Sequence, residues 1–274
     1  MRPVAEQSTG RALLAQQIRI DRPDLKMSGE IVLRSLQPLA GELRLQQARG
    51  EPRHIFAGVM RLVPGVTGVM DGFFDVLEIH DLDLAGLVIT VNREGYALQL
   101  ASATIPEGEL QQVTGRFNSN RVWQLASGGL RLAQVPLRLK KGLPAMPLSY
   151  RTLQANGSGQ ERLSLEVEKV RVGHLAALAD PSGVLGQLLR AMGFARGLES
   201  SPIVFDRLAV TAVSDAQRVV TQSLLLQAPK ASATGVASMA WQPEPRKVHL
   251  EVDVTTAKQP ARHFDALIPL VAGR

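Results

Sequence analysis

The chain has 274 residues, enough for one large domain or two small ones, and 45% of them are hydrophobic while only 4% are aromatic. It carries a formal net charge of +6 and no cysteine, which excludes disulfides, thiol nucleophiles and thiolate metal sites. With two Trp and two Tyr, the aromatic platforms of single-strand nucleic-acid binders are poorly supplied, and the basic residues sit singly on strand faces, as Arg44, Arg138, Arg151 and Lys247 do.

Residues 1 to 10 read as a loose lead-in, without the apolar core of a secretory signal. No run approaches the length needed to cross a bilayer as a helix. The expectation is either a cytoplasmic protein or a chain whose N-terminal targeting segment lies elsewhere. Leu13 to Ile20 reads as a strand or a helical turn. From Asp24 a period of two recurs, with one dry and one wet face. Leu25, Met27, Ile31 and Leu33 share one parity, interrupted at Gly29 by an expected bulge or close approach. Leu39, Gly41, Leu43 and Leu45 follow, alternating with Glu42, Arg44 and Gln46. Ala48 to Arg53 reads as a polar turn, and Ile55, Ala57 and Val59 as the next strand row.

Residues 64 to 72 are rich in Gly and Pro, and Phe73 to Ile79 resumes an extended stretch. Leu87, Ile89 and Val91 alternate again, and Asn92-Arg93-Glu94-Gly95 predicts a hairpin with glycine where positive φ is needed. Tyr96, Leu98 and Leu100 return. Val122 to Leu125, Leu130 to Leu139 and Leu148 to Leu153 are strand candidates, with a bulge expected at Gln134-Val135. Ala155-Asn156-Gly157-Ser158-Gly159 predicts a turn. Leu163, Leu165 and Val167 alternate, and the parity changes at Val170 and Val172.

One segment breaks the pattern. Asp180-Pro181 predicts an N-cap and a first helical residue. Val184, Leu185, Leu188, Leu189 and Met192 then fall at helical spacing, and Gly193 predicts a stop. Beyond this short amphipathic helix, Pro202 to Val254 reads as successive long strands. Leu208 and Val210 belong to the first, Leu224 and Leu226 to the second. The clearest strand is Lys247-Val248-His249-Leu250-Glu251-Val252-Asp253-Val254, in which every second residue is aliphatic.

Catalytic and metal motifs are lacking. His54, His80, His174, His249 and His263 are not at ligand spacing, and no HExxH, G-x-S-x-G or Walker-type loop occurs. No cofactor, metal or catalytic residue is predicted, and the protein is expected not to be an enzyme. The expected fold is mostly β: a long antiparallel meander forming a curled, groove-like sheet with one short helix near 181–192. Residues 1–170 are expected to form an amphipathic strand region and 171–274 a helix-plus-meander region.

Residues 180 to 270 resemble the C-terminal region of AsmA-like proteins, the envelope family that includes TamB-type lipid-bridge proteins. The resemblance lies in the Leu-rich helix, the Phe205-Asp206-Arg207-Leu208 strand opening and the Ser223-to-Pro229 hairpin strand. It continues through Thr234-Gly235-Val236-Ala237, the Val248-to-Val254 strand and a tail with Ile268-Pro269-Leu270-Val271. The Asp215-Ala216-Gln217 turn departs from it by lacking glycine. The resemblance implies a periplasmic, cell-envelope location and an apolar β-groove that carries phospholipid or another acyl lipid between inner and outer membranes, supporting outer-membrane assembly. It also implies an inner-membrane anchor or outer-membrane proteins as partners, and no nucleic acid. The expected lining is Leu25, Ile31, Leu33, Leu43 and Leu45, then Leu208, Val210, Leu224 and Leu226, then Val248, Leu250, Val252 and Val254. The helix residues Val184, Leu185, Leu188, Leu189 and Met192 would plug it. The competing expectation is a β-rich assembly module of the envelope with a closed core and no lipid.

Overall fold

The computed structural model describes residues 14–36, 39–62, 79, 81–134, 147–158, 162–173, 183–194, 202–215, 217–240, 247–257 and 259–269. The chain forms two compact units, Met1–Arg121 and Val122–Arg274. It is mostly β, sixteen strands in antiparallel pairs, with two short helices among the described residues. The boundary expected between residues 170 and 171 falls inside a continuous strand, Arg162–Val172.

The first unit holds β1 (Leu14–Arg22), β2 (Leu25–Leu36), β3 (Leu39–Gly50), α1 (Pro52–Leu62), β4 (Leu82–Asn92), β5 (Gly95–Ile105) and β6 (Gly108–Asn118). Each strand pairs antiparallel with the next. The β4–β5 hairpin forms as its sequence predicts: the Asn92 side-chain oxygen accepts hydrogen bonds from the backbone N–H groups of Glu94 and Gly95. Gly95 sits at φ +141°, where a side chain is strained. The β2–β3 register slips between Ser28 and Gly29, and a Cβ on Gly29 would run into the Arg44 carbonyl. The bulge and the close approach expected there are one feature.

Helix α1 corrects the reading of Ile55, Ala57 and Val59 as a strand row. Pro52 stands at the first helical position, where its fixed φ suits a helix and its missing N–H leaves no bond unmade. The Glu51 carbonyl accepts from the N–H groups of His54 and Ile55. Ile55, Val59 and Leu62 are spaced i, i+4, i+7, a helical stripe that a period-two reading of the same stretch conceals.

The second unit holds β7 (Val122–Ser127), β8 (Gly129–Leu132), β9 (Leu148–Tyr150), β10 (Thr152–Ser158) and β11 (Arg162–Val172), then α2 (Val184–Ala191). After it come β12 (Ile203–Ser214), β13 (Arg218–Ala228), β14 (Ala231–Ala240), β15 (Lys247–Thr256) and β16 (Gln259–Pro269). The strands lie in the order β7-β10-β11-β12-β13-β14-β15-β16, with β9 bridging β8 to the end of β11. The turn expected over Ala155–Gly159 is instead strand as far as Ser158. Gly157 pairs with Trp123, and a Cβ there would strike the indole ring. Asn-Gly here serves a close approach, not a hairpin.

Three local features match their sequence signals. Lys169, at φ +53°, is unpaired between Glu168↔Arg207 and Val170↔Phe205, so Val167 and Val170 both turn inward across a bulge. Asp215 closes the β12–β13 turn without glycine: its carboxylate accepts from the N–H groups of Gln217 and Arg218. Gly193, at φ +90°, ends α2, and its N–H bonds back to the Arg190 carbonyl. The helix start differs: Asp180 and Pro181 lie outside the described residues, and the N-cap of the described helix is Gly183, with no side-chain cap. The bulge expected at Gln134-Val135 and the stretch 64–72 also involve residues outside the described set.

Candidate functional site

Directly opposed residues of an antiparallel pair share a face, so the register shows which side chains stand together. In the second unit one row runs Val167–Leu208–Leu226–Ala233–Val254. The next row runs Leu165–Val210–Leu224–Gly235–Val252–Phe264. Leu250 joins the same face through Ala237 and Ala266, and Val248 through Met239 and Ile268. All eight aliphatic positions expected from the C-terminal strands therefore lie on one face. They are not equally covered: Leu250, Val252 and Val254 are buried, whereas Leu208, Val210, Leu224, Leu226 and Val248 are half-buried.

The first unit repeats the arrangement. Met27–Ala48–Leu84–Ala103 form one row, Ile31–Leu43–Ile89–Leu98–Gly115 another, and Leu33–Gly41–Val91–Tyr96–Phe117 a third. Leu25, Ile31, Leu43 and Leu45 are buried, and Leu33 is half-buried.

In each unit a helix covers one end of the apolar face. Ile55 of α1 is fully buried in a cluster with Leu25, Met27, Leu45, Leu82 and Leu84. Leu188, Leu189 and Met192 of α2 are buried with Val170, Ile203, Phe205, Ala231, Ala233, Val254 and Phe264. The Phe194 ring meets Phe205 edge-on at 5.5 Å just past the helix. The side chains of Val184 and Leu185 lie outside the described set, so the expected plug is seen through its other three members.

Toward the opposite strand ends, cover thins among the described residues. Phe117 is 45% exposed and Leu163 37% exposed. A shallow depression in the first unit is lined by Ile31, Leu33, Leu39, Gly41, Glu42, Leu43, Ile89 and Val91, all aliphatic or glycine except Glu42. It offers dry surface and few directional polar groups, which suits a flexible hydrocarbon better than a polar metabolite. Each CH₂ withdrawn from water onto such a surface gains about 0.8 kcal/mol.

The opposite face of each sheet carries the charged pairs, interleaved with aliphatics such as Val88 in the first unit and Val213, Val220, Leu225 and Val236 in the second. In the first unit Arg44 pairs with Glu42 and Glu30, and Arg49 with Asp81. In the second, Lys169 pairs with Asp206 at 2.6 Å and Arg207 with Glu166 at 2.6 Å. His249 meets Asp265 at 2.7 Å and His263 meets Asp253 at 2.9 Å across β15–β16. The hydrogen bond to Asp253 raises His263 above the ordinary imidazole range, helped by the nearby charges of Asp253, Glu251 and Asp265. Among the described residues no group of three or more His, Asp or Glu is placed to hold a metal ion. These paired groups form surface ladders on the polar side of the strands.

Leu165 and Leu87, read from the sequence as members of alternating rows but not as lining, join the apolar faces, and Ala233, Phe264 and Leu84, absent from the expected lining, extend the same rows. Ile55 is missed through the wrong period. Comparison with family models, with curated proteins and with solved structures finds no match.

Proposed function

We propose that the protein is a non-enzymatic cell-envelope component whose apolar sheet faces bind acyl chains of phospholipid, or pass them along, between inner and outer membranes in support of outer-membrane assembly. The reading places it in the periplasm, with acyl lipid as ligand. The observation that carries it is the incompletely covered apolar face in each unit: aliphatic rows that a helix covers in part, with half-buried members left over, Leu33 in the first unit and Leu208, Val210, Leu224 and Leu226 in the second. A sheet with one dry face must cover it with a helix, a partner or lipid. Here the helices cover only part, and the remainder is smooth, aliphatic and short of hydrogen-bonding groups. The location and the direction between membranes rest on the resemblance of residues 180 to 270 to AsmA-like proteins.

The test is direct. The full chain, purified from cells without detergent, is extracted with organic solvent and the extract analysed by mass spectrometry. Phospholipid in stoichiometric amount is expected. A chain free of acyl lipid, and unable to take up a fluorescent fatty-acyl probe, overturns the reading and leaves the closed assembly module in its place.

A further inference from the structure

The charge is unevenly shared. Residues 1–121 hold thirteen Lys and Arg against fourteen Asp and Glu; residues 122–274 hold eighteen against eleven. The entire basic excess belongs to the second unit. Within that unit, Lys169 and Arg207 are engaged in ion pairs on the polar face. A different group stands at the strand ends away from α2.

Arg162 begins β11 and pairs with Val213 near the end of β12. Arg218 begins β13 and pairs with Ala240, the last residue of β14. Lys247 begins β15 and pairs with Pro269, the last residue of β16. All three are exposed. Asp215 is the one acidic side chain among the described residues at this end; one carboxylate oxygen accepts from the backbone N–H groups of Gln217 and Arg218, and the other lies 4.0 Å from the exposed Arg218 guanidinium, a contact at the limit of an ion pair. Behind this rim the inner face ends in Leu163, Val219, Met239 and Val248, which are exposed or half-buried. Cations spaced along the lip of an uncovered aliphatic surface match one kind of partner: a surface that is anionic outside and hydrocarbon beneath. Nucleic acid offers the charge but no aliphatic layer, and the aromatic side chain described at this end, Trp123, is half-buried with its ring against Gly157.

We infer that the rim formed by Arg162, Arg218 and Lys247 seats the second unit on the anionic headgroups of a lipid bilayer, presenting its open apolar face to the acyl layer. The inference rests on the acyl-binding reading for its purpose, but the contact itself is electrostatic and is measured separately.

The experiment is flotation of the full chain with vesicles of phosphatidylcholine alone or mixed with phosphatidylglycerol. The variants are Arg162→Gln, Arg218→Gln, Lys247→Gln and their combination, with Lys230→Gln as control. Lys230 is an exposed base in the β13–β14 turn at the opposite strand ends, so its loss removes the same charge from the wrong place. Binding to the anionic vesicles should exceed binding to neutral ones. It should fall about fivefold for each rim charge removed, the equivalent of about 1 kcal/mol per base at an anionic surface. It should be largely abolished at roughly 1 M salt, where screening acts over about 3 Å. The control should bind like the parent, and thermal unfolding should show every variant folded. Equal binding to neutral vesicles overturns the inference. So does a combined variant that binds like the parent, a Lys230→Gln loss as large as those at the rim, or displacement by an oligonucleotide at equal phosphate concentration. Solvent extraction of the same samples separates the two ideas. A parent that floats with anionic vesicles but carries no acyl lipid refutes the groove and supports the rim. A combined variant that keeps its acyl lipid but no longer floats supports both.

Discussion

The two units solve one problem with different materials. Each is an antiparallel sheet with a single dry face and a short helix on one end of it. In the first unit the covered end is built of large aliphatics, Leu25, Met27, Leu45, Leu82 and Leu84, and α1 is anchored by Ile55. In the second, small residues form the floor: Ala228, Ala231 and Ala233, continued by Gly235. That floor leaves room for three helix residues, Leu188, Leu189 and Met192, and for the rings of Phe205 and Phe264. A close-packed interior needs the right total volume, which sheet or helix can supply. The comparison teaches that the shared element is the gradient from covered to open, while the residues that make it are interchangeable.

The largest effects should come from testing the gradient itself. Val252 is 1% exposed, and Val252→Asp buries a charge with no partner, so a loss of about 4 kcal/mol or more is expected from urea unfolding. Val210 shares its row but is half-buried. Val210→Asp should cost less than about 1.5 kcal/mol, because the new carboxylate can reach water, yet it should remove bound acyl lipid. The matched pair in the first unit is Leu45→Asp against Leu33→Asp. Equal destabilisation by both members of either pair would mean that the half-buried positions are ordinary core.

A step smaller are the helix anchors. Ile55→Ala and Leu188→Ala should each cost about 2–5 kcal/mol. Their local consequences should differ. Ile55 is the fully buried anchor among the described side chains of α1, so amide exchange across 54–57 should accelerate sharply in that variant. With Leu189 and the adaptable Met192 still buried, α2 should stay protected in Leu188→Ala. Loss of protection in both helices would erase the distinction between one anchor and three.

Smaller again is the β12–β13 turn. Hydrogen bonds from the N–H groups of Gln217 and Arg218 hold the Asp215 carboxyl below its usual range. Its contribution is therefore present above the unfolded carboxylate pKa of about 3.9 and is lost as the pH falls through the lower folded value. Asp215→Ala should lower the stability read from urea unfolding near neutral pH, and Asp215→Asn, which keeps an acceptor, should lower it less. Equal losses for the two variants would assign the effect to charge and not to the turn.

These outcomes also mark what could be read from residues alone. Period two is a local property, so the dry parity of β2, β3 and β15 was visible in Leu25, Leu43 and Val252, and the Lys169 bulge announced itself as a parity change. Rows across strands follow from parity once neighbours pair in chain order, as these strands do. Cover is different. Whether Val210 or Val252 is the exposed member of one row depends on where α2 lands, and that is set by packing far away in sequence. The strand reading of Ile55 to Val59 failed because five residues fit both periods; the deciding signals were Pro52 and the longer i, i+4, i+7 spacing. Asn156-Gly157 failed because glycine answers to any close neighbour, here the Trp123 ring.

The smallest effect separates the edges of the two sheets. Edge strand β1 carries Arg22–Asp24 at its turn, where His54 of α1 also approaches Asp24 at 3.4 Å. Edge strand β16 is tied to β15 by His263–Asp253 and His249–Asp265, with Glu251 directly opposite Asp265. Protonated imidazoles relieve that opposition of like charges. Because the folded pKa of His263 is raised, its stabilising effect is complete below the unfolded value of about 6.5 and disappears as the pH rises through the folded one. Amide exchange in β16 should therefore quicken, beyond the intrinsic pH dependence, as the pH is raised through the neutral range, while residues 14–18 of β1, at the strand end away from Asp24 and His54, should show no such excess. In His263→Gln the excess should shrink. The pairs are exposed, so added salt should diminish the difference. An equal excess in residues 14–18 of β1 and in β16 would show that the charge ladder plays no part in holding the last strand.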